Sequence, residues 1–221
     1  MVEKIIEKTG PAVQLDAGAQ TKGERTRERI LDVAYESIVQ KGFAATSIEE
    51  LVEAAGITKS GFFYHFKDKN DLARQLFERF LSEDEGIVDV LEQRARELSD
   101  DPLQSFLIFL NLYAQMMDDM ETLHPGCMVA SITYQERMFD AEVKQMNVDY
   151  ILRLRRRFAD WLDQIIATNP TKGDVDIHAL ADNLTAIIEG AIILSKALKD
   201  EGLMGRQTRL FRHHVKLIFG A

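Results

Sequence analysis

Apolar positions in this chain return every three or four residues, the period of a helix, and no stretch alternates as a convincing strand would. Ile30, Ala34 and Ile38, flanked by Leu31 and Val33, predict a first helix from about Lys22 that Gly42 stops. Thr46-Ser47 followed by Glu49-Glu50 is a doubled capping-box signal. Ile48, Leu51, Val52 and Ala55 then supply the buried stripe of a second helix, which Gly56 ends. Thr58 is placed to cap a third, with Phe62 and Phe66 four apart on one face. Asp68 caps a fourth, whose Leu72, Leu76 and Phe80 face inward, extending to about Leu98 with bending near Gly86. Asp101-Pro102 opens a fifth, since proline fits the first helical position, and it runs to about Glu121. His124-Pro125-Gly126 breaks the chain. A short sixth helix starts at about Cys127, and a seventh spans roughly Asp140 to Thr168 before Asn169-Pro170. An eighth starts at Asp174 or Asp176 and reaches about Lys199; a ninth lies between Gly202 and Phe219. The expectation is an all-α fold of nine helices.

Composition sharpens this reading. The 221 residues carry a net charge of -9, which does not suggest a nucleic-acid binder as a whole. Yet Lys22 to Leu72 holds eight Lys/Arg against nine Asp/Glu, so nearly all the excess acid lies further on. The weakly patterned residues 1–21, with Gly10, Pro11 and Gly18, read as an arm or loose tail. A single cysteine, Cys127, excludes an intrachain disulfide and fits a reducing compartment. No secretory signal is seen at the start and no later stretch is expected to span a bilayer, which makes the cytoplasm the expected location.

The second and third helices are joined by only Gly56-Ile57, too little chain for an antiparallel pair. A glycine-hinged pair of this kind suits a helix-turn-helix, whose second helix enters the DNA major groove. Such a helix needs an apolar inner face, which Phe62 and Phe66 give. It needs a small polar first turn, which Thr58-Lys59-Ser60-Gly61 gives. It also needs flanking groups for phosphate oxygens, and Tyr64, His65, Lys69, Thr46 and Ser47 fit. Glycine costs about 1 kcal/mol inside a helix, and close approach to a groove is a reason to keep Gly61. On spacing alone, a helical core with an exposed Tyr-His pair remains the alternative.

The stretch GFAATSIEELVEAAGITKSGFFYHFKDKNDL resembles the N-terminal signature of the TetR/AcrR family of transcriptional regulators, over about Arg25 to Leu76. The resemblance implies a helix-turn-helix domain at residues 22–67 and an effector-binding and dimerisation domain at 68–221. It implies phosphate-facing helix starts at Thr46, Ser47 and Thr58, and base-reading positions at Lys59, Ser60 and Gly61. Backbone contacts would come from Tyr64 and His65, a phosphate-binding lysine would be Lys69, and Arg25 would be an early basic contact. Phe63 departs from the family's usual tyrosine and lacks a hydroxyl for phosphate, which shifts that role toward Tyr64.

Two apolar faces follow. Ile177, Leu180, Leu184, Ile187, Ile188, Ala191 and Leu198, with Leu210, Phe211 and Val215 on the last helix, either fill the monomer's core or face a partner. The resemblance favours a four-helix homodimer interface. Phe106, Phe109, Tyr113, Met116, Met117, Met120, Phe139, Phe158 and Trp161 are either core or the wall of an adaptable effector pocket, with Cys127 added to that set. Cys127 is either a structural cysteine or, at a helix start, a redox or electrophile sensor. The five histidines form no ligand set, and no catalytic constellation, metal spacing or cofactor loop is present. The sequence therefore reads as a DNA-binding, ligand-responsive regulator, most simply a repressor bound to a palindromic operator and released by a small apolar or aromatic effector. The long fourth helix would act as lever. The competing reading is a non-enzymatic adaptor whose helix-turn-helix binds protein.

Overall fold

The computed structural model describes residues 21–120 and 122–221. Apart from Thr21, the arm expected at residues 1–21 lies outside them. Nine α-helices occur among the described residues: α1 Lys22–Lys41, α2 Ile48–Ala54, α3 Lys59–His65, α4 Lys69–Leu98, α5 Pro102–Asp118, α6 Met128–Tyr134, α7 Ala141–Thr168, α8 Ile177–Leu198 and α9 Leu203–Phe219. A single 3₁₀ turn, Glu136–Met138, follows α6, and the described residues hold no strand. The fold is all-α.

The caps explain the boundaries. Thr21 and Glu24 form a full capping box at the start of α1. Ser47, Thr58, Asp101 and Asp176 each accept a backbone N–H from the first turn of the helix they precede. The fifth helix ends at Asp118, a few residues before the expected Glu121. Lys199 closes α8 in the left-handed region, φ 55°.

The described chain forms two compact units. One holds residues 21–84 and 125–149, the other residues 85–124 and 150–221. The division falls within α4 and within α7 rather than at residue 67, because α6 and the first part of α7 pack with the N-terminal helices.

The first unit is built on Ile30, Leu31, Ala34, Ile38, Leu51, Phe62, Phe66, Leu72, Leu76 and Phe77, all buried. Polar contacts stitch α1 to α4: the Arg27 guanidinium donates to Gln75 Oε1 at 2.8 and 3.1 Å, and Arg79 bridges Glu28 and Asp32 at 3.0 and 2.8 Å.

In the second unit α9 packs on α5 and α8. Gly205 permits the closest approach: a Cβ there would meet Ala114 O at 3.1 Å and overlap the Asp118 carboxylate. Trp161 donates its indole N–H to Pro102 O at 3.2 Å and lies under the Arg96 guanidinium at 4.4 Å. Phe106, Phe109, Phe158 and Trp161 make ring contacts of 5.1 to 6.2 Å.

Three expectations are corrected here. Leu180, Leu184, Ala191, Phe211 and Val215 are buried within the monomer and are core rather than free surface; periodicity cannot separate two faces of a helix that is apolar nearly all round. Phe139 does not join the aromatic cluster. It lies in tilted contact with Phe43 in the first unit, with ring centroids 4.4 Å apart. Finally, α8 is long and apolar enough to cross a bilayer by length and composition, with mean hydropathy 1.5. In this fold α8 instead packs on α9, and its Asp182 takes both arms of the Arg155 guanidinium at 2.6 and 2.8 Å.

Candidate nucleic-acid interface

The turn between α2 and α3 has the geometry its sequence predicts. Gly56 sits at φ +62°, Ile57 N–H reaches back to Val52 O at 3.0 Å, and Gly56 N–H to Glu53 O at 3.0 Å. This is a Schellman stop, and it needs a residue that tolerates the left-handed region. α3 then begins at once, with Thr58 Oγ1 accepting the Gly61 N–H at 3.1 Å.

The short α3 is divided sharply into two faces. Phe62 and Phe66 are fully buried and in tilted contact at 5.5 Å. Thr58, Lys59 and Ser60 are exposed, Phe63 is 47% exposed and Tyr64 83% exposed. An aromatic left so open on a seven-residue helix gains nothing from the protein's own core. A Cβ on Gly61 would find only ordinary contacts, Thr58 Oγ1 at 3.4 Å and Ile57 Cβ at 3.8 Å. Packing inside the protein therefore gives no reason for glycine there.

The flanking groups differ more from expectation. Ser47 is exposed and caps α2 through Glu50 N–H at 3.2 Å. Thr46 is not available to a phosphate: it is 1% exposed, its hydroxyl donates to Gly42 O at 3.0 Å, and Ser37 lies 2.9 Å away. The doubled cap signal resolves into one cap and one buried brace. Lys69 donates to Phe43 O at 2.5 Å and stands 4.1 Å above the Phe43 ring. Burial, then the charge of Lys41, holds its amine below the usual lysine range. His65 lies edge-on to Tyr64 at 5.0 Å, and burial followed by the Arg27 charge lowers its pKa, which favours a neutral ring. Arg25 is exposed and makes no ion pair among the described residues.

Sequence reasoning missed what pins the loop between α1 and α2. Gly42 has φ +89°, and the Gln135 side chain fills the space a Cβ would need. Gln135 Oε1 accepts the Ala44 N–H at 3.1 Å. No local signal predicts a contact across 91 residues. Cys127 precedes α6 without a side-chain capping bond. The Tyr35 phenol is pushed up to about 12, first by burial and then by the electrostatic influence of Cys127.

Comparison with known proteins places this geometry. Residues 30–76 match the model of bacterial regulatory proteins, tetR family. The HTH-type transcriptional regulator AcrR of Shigella flexneri is 42% identical over 57 residues, about a quarter (26%) of each chain. Longer matches reach the transcriptional regulator AcuR of Cereibacter sphaeroides, 23% identical over 85% of this chain and 84% of that one. They also reach the HTH-type transcriptional regulator YvkB of Bacillus subtilis, 26% identical over 87% and 94%. Among solved structures, a TetR-family transcriptional regulator from Agrobacterium tumefaciens shares the fold with a TM-score of 0.74 at 21% identity, covering 87% of this chain and 98% of that one. These relatives are transcriptional regulators rather than enzymes. Signature, fold and relatives agree: residues 30–76 carry the tetR-family helix-turn-helix, most of the chain shares the fold of TetR-family regulators, and the protein is a DNA-binding regulator.

Proposed function

We propose that the protein acts in the cytoplasm as a homodimeric repressor that binds a near-palindromic operator and leaves it when a small apolar or aromatic effector binds. The observation that carries the reading is the division of α3: buried Phe62 and Phe66 hold it from behind while Thr58, Lys59, Ser60 and Gly61, with Phe63 and Tyr64, face outward. Lys59, Ser60 and Gly61 would meet base edges; Ser47, Thr58, Tyr64, His65 and Arg25 would meet the backbone. Lys69 contributes chiefly by fixing the Phe43 loop.

Dimerisation is supported by what α8 and α9 leave uncovered. Ile193, Leu194, Leu198, Leu210 and Leu217 are exposed, and Ile177, Ile187 and Ile188 are half-covered. Nothing within 4 Å would oppose a Cβ on Gly190, so a second backbone has room to approach. A twofold dimer would set two α3 helices about one DNA turn, roughly 34 Å, apart or somewhat more. An effector that entered among Phe106, Phe109, Tyr113, Met116, Met117, Met120, Phe158 and Trp161 of the second unit, most of them buried, would meet an apolar and aromatic wall. An effector releases DNA only by binding the two states with different affinity.

Selection of duplexes from a random library by the purified full chain tests the reading. The expected product is a two-half-site consensus bound with steep salt dependence. Recovery of no consensus, or binding indifferent to salt, would sink it in favour of the protein-binding adaptor.

A further inference from the structure

Two aromatic side chains stand next to each other on the outward part of α3, and only one of them has a polar tip. Tyr64 is 83% exposed and carries a hydroxyl that can donate to a phosphate oxygen. Phe63 is 47% exposed and offers nothing but ring carbon. Its ring makes a T-shaped contact with the fully buried Phe62, with centroids 5.4 Å apart and planes at 89°. A ring braced from one side in this way keeps its open part pointing in a defined direction. Phe63 comes four residues after Lys59 and three after Ser60, so it shares a side of the helix with the first turn.

We propose that Phe63 is a specificity-determining residue that reads a thymine in each half-site, by burying the open part of its ring against the C5-methyl group. The inference rests on α3 being the DNA-reading helix. In the major groove the base edges present hydrogen-bond donors and acceptors, and the thymine methyl is the apolar group among them. A phenyl ring set against a donor or acceptor would strip its water and return no hydrogen bond. Set against the methyl, it takes apolar surface out of water on both partners. The ring therefore favours thymine in two ways, through the contact it gains and through the polar edges it penalises. A phosphate oxygen gains nothing from such a ring, which leaves that role to the Tyr64 hydroxyl.

The full chain is assayed on a duplex selected from a random library. Each thymine of the half-sites is replaced in turn, in both halves together, by deoxyuridine, which lacks only the methyl group. A buried methyl is worth about fourfold in affinity, so one such pair of replacements should weaken wild-type binding about fifteenfold. In Phe63→Ala the same pair should cost less than about twofold, and Phe63→Tyr, which keeps the ring, should show the wild-type cost. A scrambled duplex should bind Phe63→Ala and wild type within about twofold and with one salt slope, because no charge has changed. A consensus without thymine, or a wild type indifferent to every replacement, overturns the proposal; a ring lying on deoxyribose would give the second result. A cost that persists undiminished in Phe63→Ala, or that is lost in Phe63→Tyr, overturns it equally. A chain that selects no consensus overturns the reading of α3 as well, whereas a consensus indifferent to deoxyuridine leaves that reading standing.

Discussion

α3 and the α8–α9 pair both leave groups uncovered, but of opposite kinds. On α3 the covered face is aromatic and the open face is hydroxyl, amine, glycine and two aromatic edges. α8 is apolar nearly all round and α9 carries two leucines on an otherwise basic outer face: one side of each packs as core, while Ile193, Leu194, Leu198, Leu210 and Leu217 stay open. A polar tip with buried support suits a hydrated, charged partner. An apolar stripe suits a second apolar stripe. The two surfaces therefore fail in different ways when altered.

The largest effect is expected where α3 is held. Phe62→Ala removes a fully buried ring and should destabilise the chain by about 3–5 kcal/mol in a urea titration. It should abolish DNA binding while that unit loosens. On the other surface, Leu194→Glu touches a side chain 47% exposed in the monomer. Sedimentation should show a dimer turned to monomer, with the association weakened at least about a hundredfold. Helix content should be unchanged. A dimer that survives this substitution would break the comparison, since the open apolar stripe would then have no partner to lose.

Gly61→Ala sharpens the case for α3. Because a Cβ fits there without strain, the variant should be more stable by about 0.4–1 kcal/mol. The same methyl group should weaken operator binding, by about tenfold if it meets a base edge. Greater stability with unchanged affinity would mean that no duplex approaches that turn. The smallest change is expected from Phe63→Tyr. It adds a hydroxyl to an exposed ring and should leave the melting temperature alone while tightening binding about two- to threefold at matched salt.

Legibility in the sequence followed locality. The caps at Ser47, Thr58, Asp101 and Asp176 and the Gly56 stop are decided within a few residues, so they could be read directly. So could Phe62 and Phe66, whose spacing fixes a face. Thr46 could not, because its hydroxyl answers to Ser37 and Gly42 around the bend. Composition groups Phe139 with the other Met and aromatic residues, while its actual companion is Phe43. On α8 the periodicity was real but could not rank the faces. Which leucines are core depends on where α9 lies.

The Gln135 wedge carries a practical lesson for anyone recombining such regulators. A head cut at residue 67 and grafted onto another body would leave the Ala44 amide and the Phe43 ring without Gln135 and Phe139. The portable module is discontinuous along the chain, and a chimera that keeps its grip on the first loop must carry residues 125–149 with it.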